Sequence, residues 1–258
     1  MTKKNLLRLC IVLCLCACDS DDSGSNNTSQ TSPTFIFTHN WDGTQVSNAD
    51  FNSFQFTTAN GESISIERLR YVISDITFRT NNGEVLNTDV YNLVDVTNND
   101  GLNFTLARTI PAGNYANVSF TFGLDNEDNS QNYLDLNSAS FNVPDMLGGG
   151  YHYMQFDGKF INSNMEEQGF NYHAIRAVDN PGTNPTFPQD TFFTVNLGPV
   201  NIAAVTEIEV KMNIAQWFKE PNLWDLNVYN QMLMPNSTAQ ILMYENGQNV
   251  FSLGEVSQ

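Results

Sequence analysis

Three histidines, His39, His152 and His173, are the residues of this chain best equipped for chemistry. A neutral imidazole is a good ligand for copper and zinc. The three lie on separate stretches of chain and are as many as a small metal site needs. His39 follows Phe35 and Phe37 at alternate positions, so on a strand it points inward with them. His152 alternates with Met154 and Phe156, and His173 with Asn171 and Ile175. A strand histidine on an apolar face commonly belongs to the core, held by one hydrogen bond, so a metal site requires that the rings converge. Met154 and Met146 add soft thioether sulfur, which selects Cu(I); core filling is the competing use of both. Histidines with an optional methionine, and no cysteine or carboxylate, suit copper better than magnesium or calcium.

Other constellations are weaker. Gly148, Gly149 and Gly150 precede Tyr151 and His152; such a run lets a backbone pass close to another element or take positive φ. It is no phosphate loop, because no Lys follows and no strand–glycine–helix order surrounds it. Residues 125–129 offer oxygen ligands for calcium but lack the central glycine and spaced terminal Glu of an EF-hand. A solvated acidic loop is the simpler reading. No Gly-X-Ser-X-Gly elbow is present, and no spacing singles out a catalytic serine or carboxylate pair. The expectation is a binding protein and not an enzyme.

The amino terminus sets the compartment. All four cysteines, Cys10, Cys14, Cys16 and Cys18, fall in the first 18 residues. Lys3, Lys4 and Arg8 precede a short apolar stretch, too short to span a bilayer but suited to a secretory signal. Leu15-Cys16-Ala17-Cys18 reads as a bacterial lipobox, with cleavage before Cys18 and acylation of its thiol. Residues 1–17 are then the signal peptide, 18–33 a Ser-, Asn-, Asp- and Thr-rich disordered tether, and 34–258 a single folded domain. The acidic start of the tether resembles the signal that carries some lipoproteins to the cell surface. The expected location is the outer membrane, facing the periplasm or the exterior, with the lipid at Cys18 as membrane partner.

Composition agrees with export. The 258 residues carry 28 acidic and 11 basic side chains, a formal net charge of −17. With no basic run or stripe, the chain cannot engage nucleic-acid phosphates. Hydrophobic residues reach 41 % and charged ones only 15 %, with amides and hydroxyls filling the surface.

These candidates must be positioned by strands. Alternation over 34–39, 51–57, 64–78, 115–122, 151–161, 169–178, 191–197 and 208–214 predicts a mainly β fold: an antiparallel β-sandwich or barrel-like domain. A change of phase predicts a bulge near Ser74 and Asp75. Helical signals are few and late. One turn is expected over 215–219, and an imperfect helical period runs over 223–234.

The motifs, taken in order, resemble a known family. Phe35-Ile36-Phe37-Thr38-His39 is followed by Leu69-Arg70-Tyr71-Val72-Ile73-Ser74-Asp75-Ile76. Ile110-Pro111-Ala112-Gly113-Asn114-Tyr115 and Phe120-Thr121-Phe122-Gly123-Leu124-Asp125 come next. Gly150-Tyr151 to Gly158, with Asp157 where the family has Glu, and Phe170-Asn171-Tyr172-His173 complete the set. The chain resembles the MbnP-like copper-binding lipoproteins, Bacteroidetes-type members among them, from about residue 34 to 215. The resemblance implies an extracytoplasmic β protein that holds copper through histidines. It also implies a nearby tryptophan that a partner di-haem peroxidase oxidises to kynurenine. His39 and His173 fall on motif positions, and His152 on a variable place in a matched strand. The family's tryptophan-containing stretch appears here as Met146-Leu147-Gly148-Gly149-Gly150, without tryptophan, so His152 is expected to substitute as a ligand. The resulting expectation is a non-catalytic copper-binding lipoprotein for acquisition, storage or transfer, with ligands His39, His152 and His173 and with Met154 or Met146 as further candidates. The alternative is a surface adhesion or glycan-binding module stacking sugars on Trp41, Tyr151 and Tyr153.

Overall fold

A computed structural model describes residues 29–258. The expected signal peptide and Cys18 lie outside the described residues, as does most of the expected tether. Order begins before the expected boundary at 34. Gln30–Thr31 pairs antiparallel with Ile110–Pro111, and the Thr31 hydroxyl donates to the Ala204 carbonyl at 2.8 Å.

Eight longer strands build two sheets: β1 (Thr34–Trp41), β2 (Ser63–Thr80), β3 (Gly113–Phe122), β4 (Met154–Ile161), β5 (Glu167–Ala174), β6 (Phe193–Ile202), β7 (Glu207–Asn213) and β8 (Phe251–Ser257). The larger sheet runs β5-β4-β2-β3-β6, and the short strands Phe56–Thr57, Val85–Asn87 and Tyr91–Asp95 also pair with β2. The smaller sheet runs β8-β7-β1, with Thr44–Val46 and Asn103–Thr105 against β1. Pairing is antiparallel except between β7 and β1, which run parallel. The sheets are not closed, and the architecture is a sandwich.

Alternation creates its core. In β1, Phe35, Phe37, His39 and Trp41 are buried while their neighbours are half exposed. Phe37 meets Tyr71 of β2 and Phe120 of β3 edge-on, at 6.3 and 6.4 Å between centroids. Tyr71 also lies 5.8 Å from Phe251 of β8. Beyond the area each ring buries, such pairs contribute about 0.5–1.5 kcal/mol apiece.

The larger sheet is covered on its other face too. Val72, on the opposite side of β2 from Tyr71, packs with Leu124, Leu136, Phe141 and Tyr151. Leu136 belongs to a short helix, α1 (Leu134–Ser138). A second outer cluster joins Val143, Leu147, Ile175 and Val178 to Phe187 and Met234. This double cover explains why the middle of β2 and nearly all of β4 are buried without alternation. The bulge expected near Ser74 is present: the β2–β3 register shifts between the Thr77 and Ser74 pairs, and Asp75 has φ of 51°.

The carboxy-terminal part departs from the sequence reading. The expected turn exists as a 3-10 helix over Ile214–Phe218. Residues 223–234 form loops and turns instead of a helix, and of the apparent period Leu223, Leu226, Tyr229, Gln231 and Leu233, Leu223 and Gln231 are exposed. The longest helix is α2 (Ser237–Gly247), capped by the Asn236 side chain, which accepts from Ala239 N at 3.1 Å. Neither α2 nor β8 is signalled by apolar periodicity; α2 buries the amides Gln240 and Asn246 along with Ala239 and Met243.

Candidate metal centre

His152 reaches its position through the glycine run. Gly148, Gly149 and Gly150 have φ of 98°, 69° and 73°. A Cβ on Gly148 would fall 2.5 Å from the Phe187 ring, and one on Gly150 2.7 Å from Asn129 Oδ1. The passage lets Tyr151 N donate to Asn129 Oδ1 at 2.9 Å, after which His152 N donates to the Phe141 carbonyl at 2.8 Å. His152 Nδ1 lies 2.7 Å from the same carbonyl. A carbonyl only accepts, so Nδ1 carries the proton and Nε2 the lone pair. Burial lowers the His152 pKa to about 4, aided by the nearby His173 and Arg68 and opposed by the bond to Phe141. The ring is therefore neutral at pH 7 and able to bind a metal.

Phe141 is itself clamped over the sheet. The Arg70 guanidinium sits 5.0 Å from its ring centroid and donates from Nε and Nη2 to Gln155 Oε1 at 2.9 and 2.6 Å. Gln155 Nε2 then donates to the Ser140 carbonyl at 3.0 Å.

His173 stands on β5 opposite Gln155 of β4, which pairs in turn with Arg70 of β2, so all three share the outer face of the sheet. Its Nε2 is 2.8 Å from Asp157 Oδ1. Asp157 also accepts from Arg68 Nε and Asn171 Nδ2, each at 2.5 Å. Burial alone would raise the Asp157 carboxyl; the bonds from His173, Asn171 and Arg68 outweigh it and hold the pKa down to about 2. The ionised carboxylate accepts a hydrogen bond from Nε2–H, so the nitrogen of His173 left to bind a metal is Nδ1. The His152 and His173 rings meet edge-to-face, 5.2 Å between centroids and at 84°. Metal-bound histidines commonly tie their second nitrogen to a carboxylate or backbone carbonyl, and both rings do so here.

Met234 completes the group, with Sδ 3.2 Å from His152 Nε2. Its loop is stapled to β5 by Gln240 of α2. Gln240 Nε2 donates to His173 O and Leu233 O at 2.9 and 3.0 Å, and its Oε1 accepts from Ile175 N at 2.8 Å.

The third histidine is elsewhere. His39 lies in the core between the sheets, its Nε2 3.1 Å from the Tyr71 hydroxyl, and burial alone lowers its pKa to about 4. Tyr71 and Arg70 are successive residues of β2 and point to opposite faces, so His39 and the His152–His173 pair lie on opposite sides of the larger sheet. Met154 is register partner to Tyr71 and packs in that same core. Met146 is 58 % exposed. Among the described residues, no group of three or more His, Cys, Asp or Glu side chains is disposed to hold a metal ion. The expected three-histidine convergence is thus replaced by a pair. His152 does not share the face of Met154 and Phe156, because the chain turns at Tyr153 before β4 begins. The missed residues are Met234, hidden in what read as a helical period, and Asp157 and Gln240, whose roles arise only from pairing and packing.

Trp41, Tyr151 and Tyr153, the aromatics expected to stack on sugars, are all buried. A polar cleft of about 420 Å³ opens beside the glycine run, but its Phe187 face is already covered by the Arg176 guanidinium, 3.8 Å from the ring centroid.

The MbnP family model matches residues 30–237. The chain belongs to the MbnP family. Among solved structures, MbnP from Methylosinus trichosporium is similar, with a TM-score of 0.54 and 12 % identity, covering 88 % of this chain and 99 % of that one. At that identity the likeness is one of fold. No curated protein matches the chain. The MbnP match ends at 237, so it includes Met234 and stops where α2 begins.

Proposed function

We propose that this MbnP-family protein binds copper through His152 and His173, and that it acquires, stores or hands on copper outside the cytoplasmic membrane without catalysing a reaction. One observation carries the reading: two imidazoles meet on one sheet face, each with one nitrogen tied to a protein acceptor and the other left to bind a metal. The resemblance of the sequence motifs to copper-binding lipoproteins supports it. The lipobox at Cys18 supports anchoring to the outer membrane by lipid. A di-haem peroxidase partner finds less support, since the expected stretch lacks tryptophan and Trp41, Trp217 and Trp224 are all buried.

Copper titration of the full chain tests the proposal, beside a His152→Ala/His173→Ala variant and a His39→Gln variant. Binding should be lost in the double variant and kept in His39→Gln. Retained affinity in the double variant, with folding verified by circular dichroism, would refute it. Labelled palmitate should be incorporated by the wild-type chain in cells and not by Cys18→Ser.

A further inference from the structure

We propose that Met234 joins His152 and His173 as a third, sulfur donor, making a site selective for Cu(I) over Cu(II). The inference rests on the copper reading above and names the oxidation state of the cargo.

The contact between His152 and Met234 is not an ordinary hydrogen bond. The Phe141 carbonyl, 2.7 Å from Nδ1, fixes the proton on that side of the ring. Nε2 therefore presents a lone pair, and the atom it meets at 3.2 Å, Met234 Sδ, has only lone pairs as well. Two Lewis bases directed at one another inside a protein repel unless they share an electrophile.

The surroundings hold this arrangement in place. Leu233 O accepts from both Gln240 Nε2 and Asn236 N, and Asn236 caps α2, so Met234 sits between two anchors. The same Gln240 amide binds the backbone of His173, which ties the thioether's loop to the second imidazole's strand. The outer cluster of Val143, Leu147, Ile175 and Val178 packs against the half-buried Met234.

The donor chemistry decides the ion. A thioether and two imidazoles, which ligate in their neutral form, make a soft, uncharged set that suits monovalent copper. Cu(II) favours tetragonal nitrogen and oxygen ligands, and the nearby carboxylate, Asp157, is engaged by His173, Arg68 and Asn171. Zinc is well served by imidazole but gains little from a thioether.

The test uses the full chain purified in detergent. Cu(I) affinity is measured without oxygen by competition with bathocuproine disulfonate, and Cu(II) affinity by competition with glycine, for wild type, Met234→Leu and His152→Ala/His173→Ala. X-ray absorption at the copper edge of the Cu(I)-loaded wild type reads the ligand atoms directly, whether or not any variant folds. We expect one sulfur scatterer in the wild type. Met234→Leu should lose roughly tenfold or more in Cu(I) affinity while Cu(II) affinity changes by less than about threefold. An absorption spectrum with nitrogen ligands only, or Cu(I) affinity unchanged in Met234→Leu, overturns the inference while leaving the histidine pair intact. Retained copper in the double histidine variant instead overturns the underlying copper reading.

Discussion

The histidines differ less in chemistry than in what surrounds them. His39 and His152 are both buried and both have pKa values lowered to about 4, yet His39 faces a tyrosine hydroxyl in the core and His152 a thioether on the outer face. His39 should therefore act on stability rather than on binding. Its ordinary value of 6.5 applies to the unfolded chain and about 4 to the folded one. Below pH 6.5 the unfolded state binds the extra proton, so stability falls as pH drops and the loss is complete below pH 4. The full loss is on the order of 3 kcal/mol. Metal-free wild type should lose about that much more than His39→Gln between pH 6.5 and 4 in denaturant titrations, since glutamine removes the titration and can still meet the Tyr71 hydroxyl. Equal pH dependence of the two proteins would contradict the assignment. Asp157 acts on binding instead, as an acceptor that orients His173. Asp157→Asn should lower copper affinity by roughly 10- to 100-fold, the usual cost of losing a ligand's supporting partner, with little change in Asp157-independent contacts such as that of His152 with Phe141.

At the level of elements, the glycine run shows how local backbone geometry sets ligand position. Gly149 has positive φ, but a Cβ there would lie 3.6 Å from Asp145 Oδ1, an ordinary contact. Gly150 combines positive φ with an approach of 2.7 Å to Asn129 Oδ1, the acceptor of the Tyr151 amide. Gly149→Ala should cost about 1–2 kcal/mol from backbone strain alone. Gly150→Ala should cost more in thermal denaturation and also weaken copper binding, because Tyr151 and His152 must shift. Equal effects of the two substitutions would mean that the close approach to Asn129 does not position His152. The sequence revealed that something must pass close to these glycines but not what. It also showed that Phe35, Phe37 and His39 share an inward face. It could not show that the other two histidines meet on the far side of the same sheet, because the bend at Tyr153 takes His152 off the face of Met154 and Phe156, and because β2 and β4, which separate the pair from His39, are buried on both faces. Met234 was concealed for another reason. The spacing of Leu223, Leu226, Tyr229 and Leu233 imitates a helix, whereas the chain is held by turns and by Gln240, a polar residue whose burial no hydrophobic pattern announces.

Across the whole molecule, the fold separates stability from the site by one sheet. The inter-sheet core, where Phe37 contacts Tyr71 and Phe120, lies on one side of β2, and the His152–His173–Met234 group lies on the other. Strands β2 and β4 are common to both, so the question is whether a defect in the core reaches the site. Phe37 belongs to β1 of the opposite sheet and touches none of the three proposed donors. Phe37→Ala should therefore destabilise the protein by about 3–5 kcal/mol through lost burial and the cavity left behind. Copper linkage acts on the other face: free Cu(I) at about 100 times its dissociation constant should add about 2.7 kcal/mol to either protein. Sites without shared partners add to within about 0.5 kcal/mol, so the copper increment should be the same in wild type and Phe37→Ala when both are unfolded with denaturant under anaerobic, reducing conditions. An increment that shrinks by more than about 1 kcal/mol in the variant exceeds that margin. It would show that the two faces of the sheet are coupled, and that the core sets the spacing of the imidazoles as well as the stability of the domain.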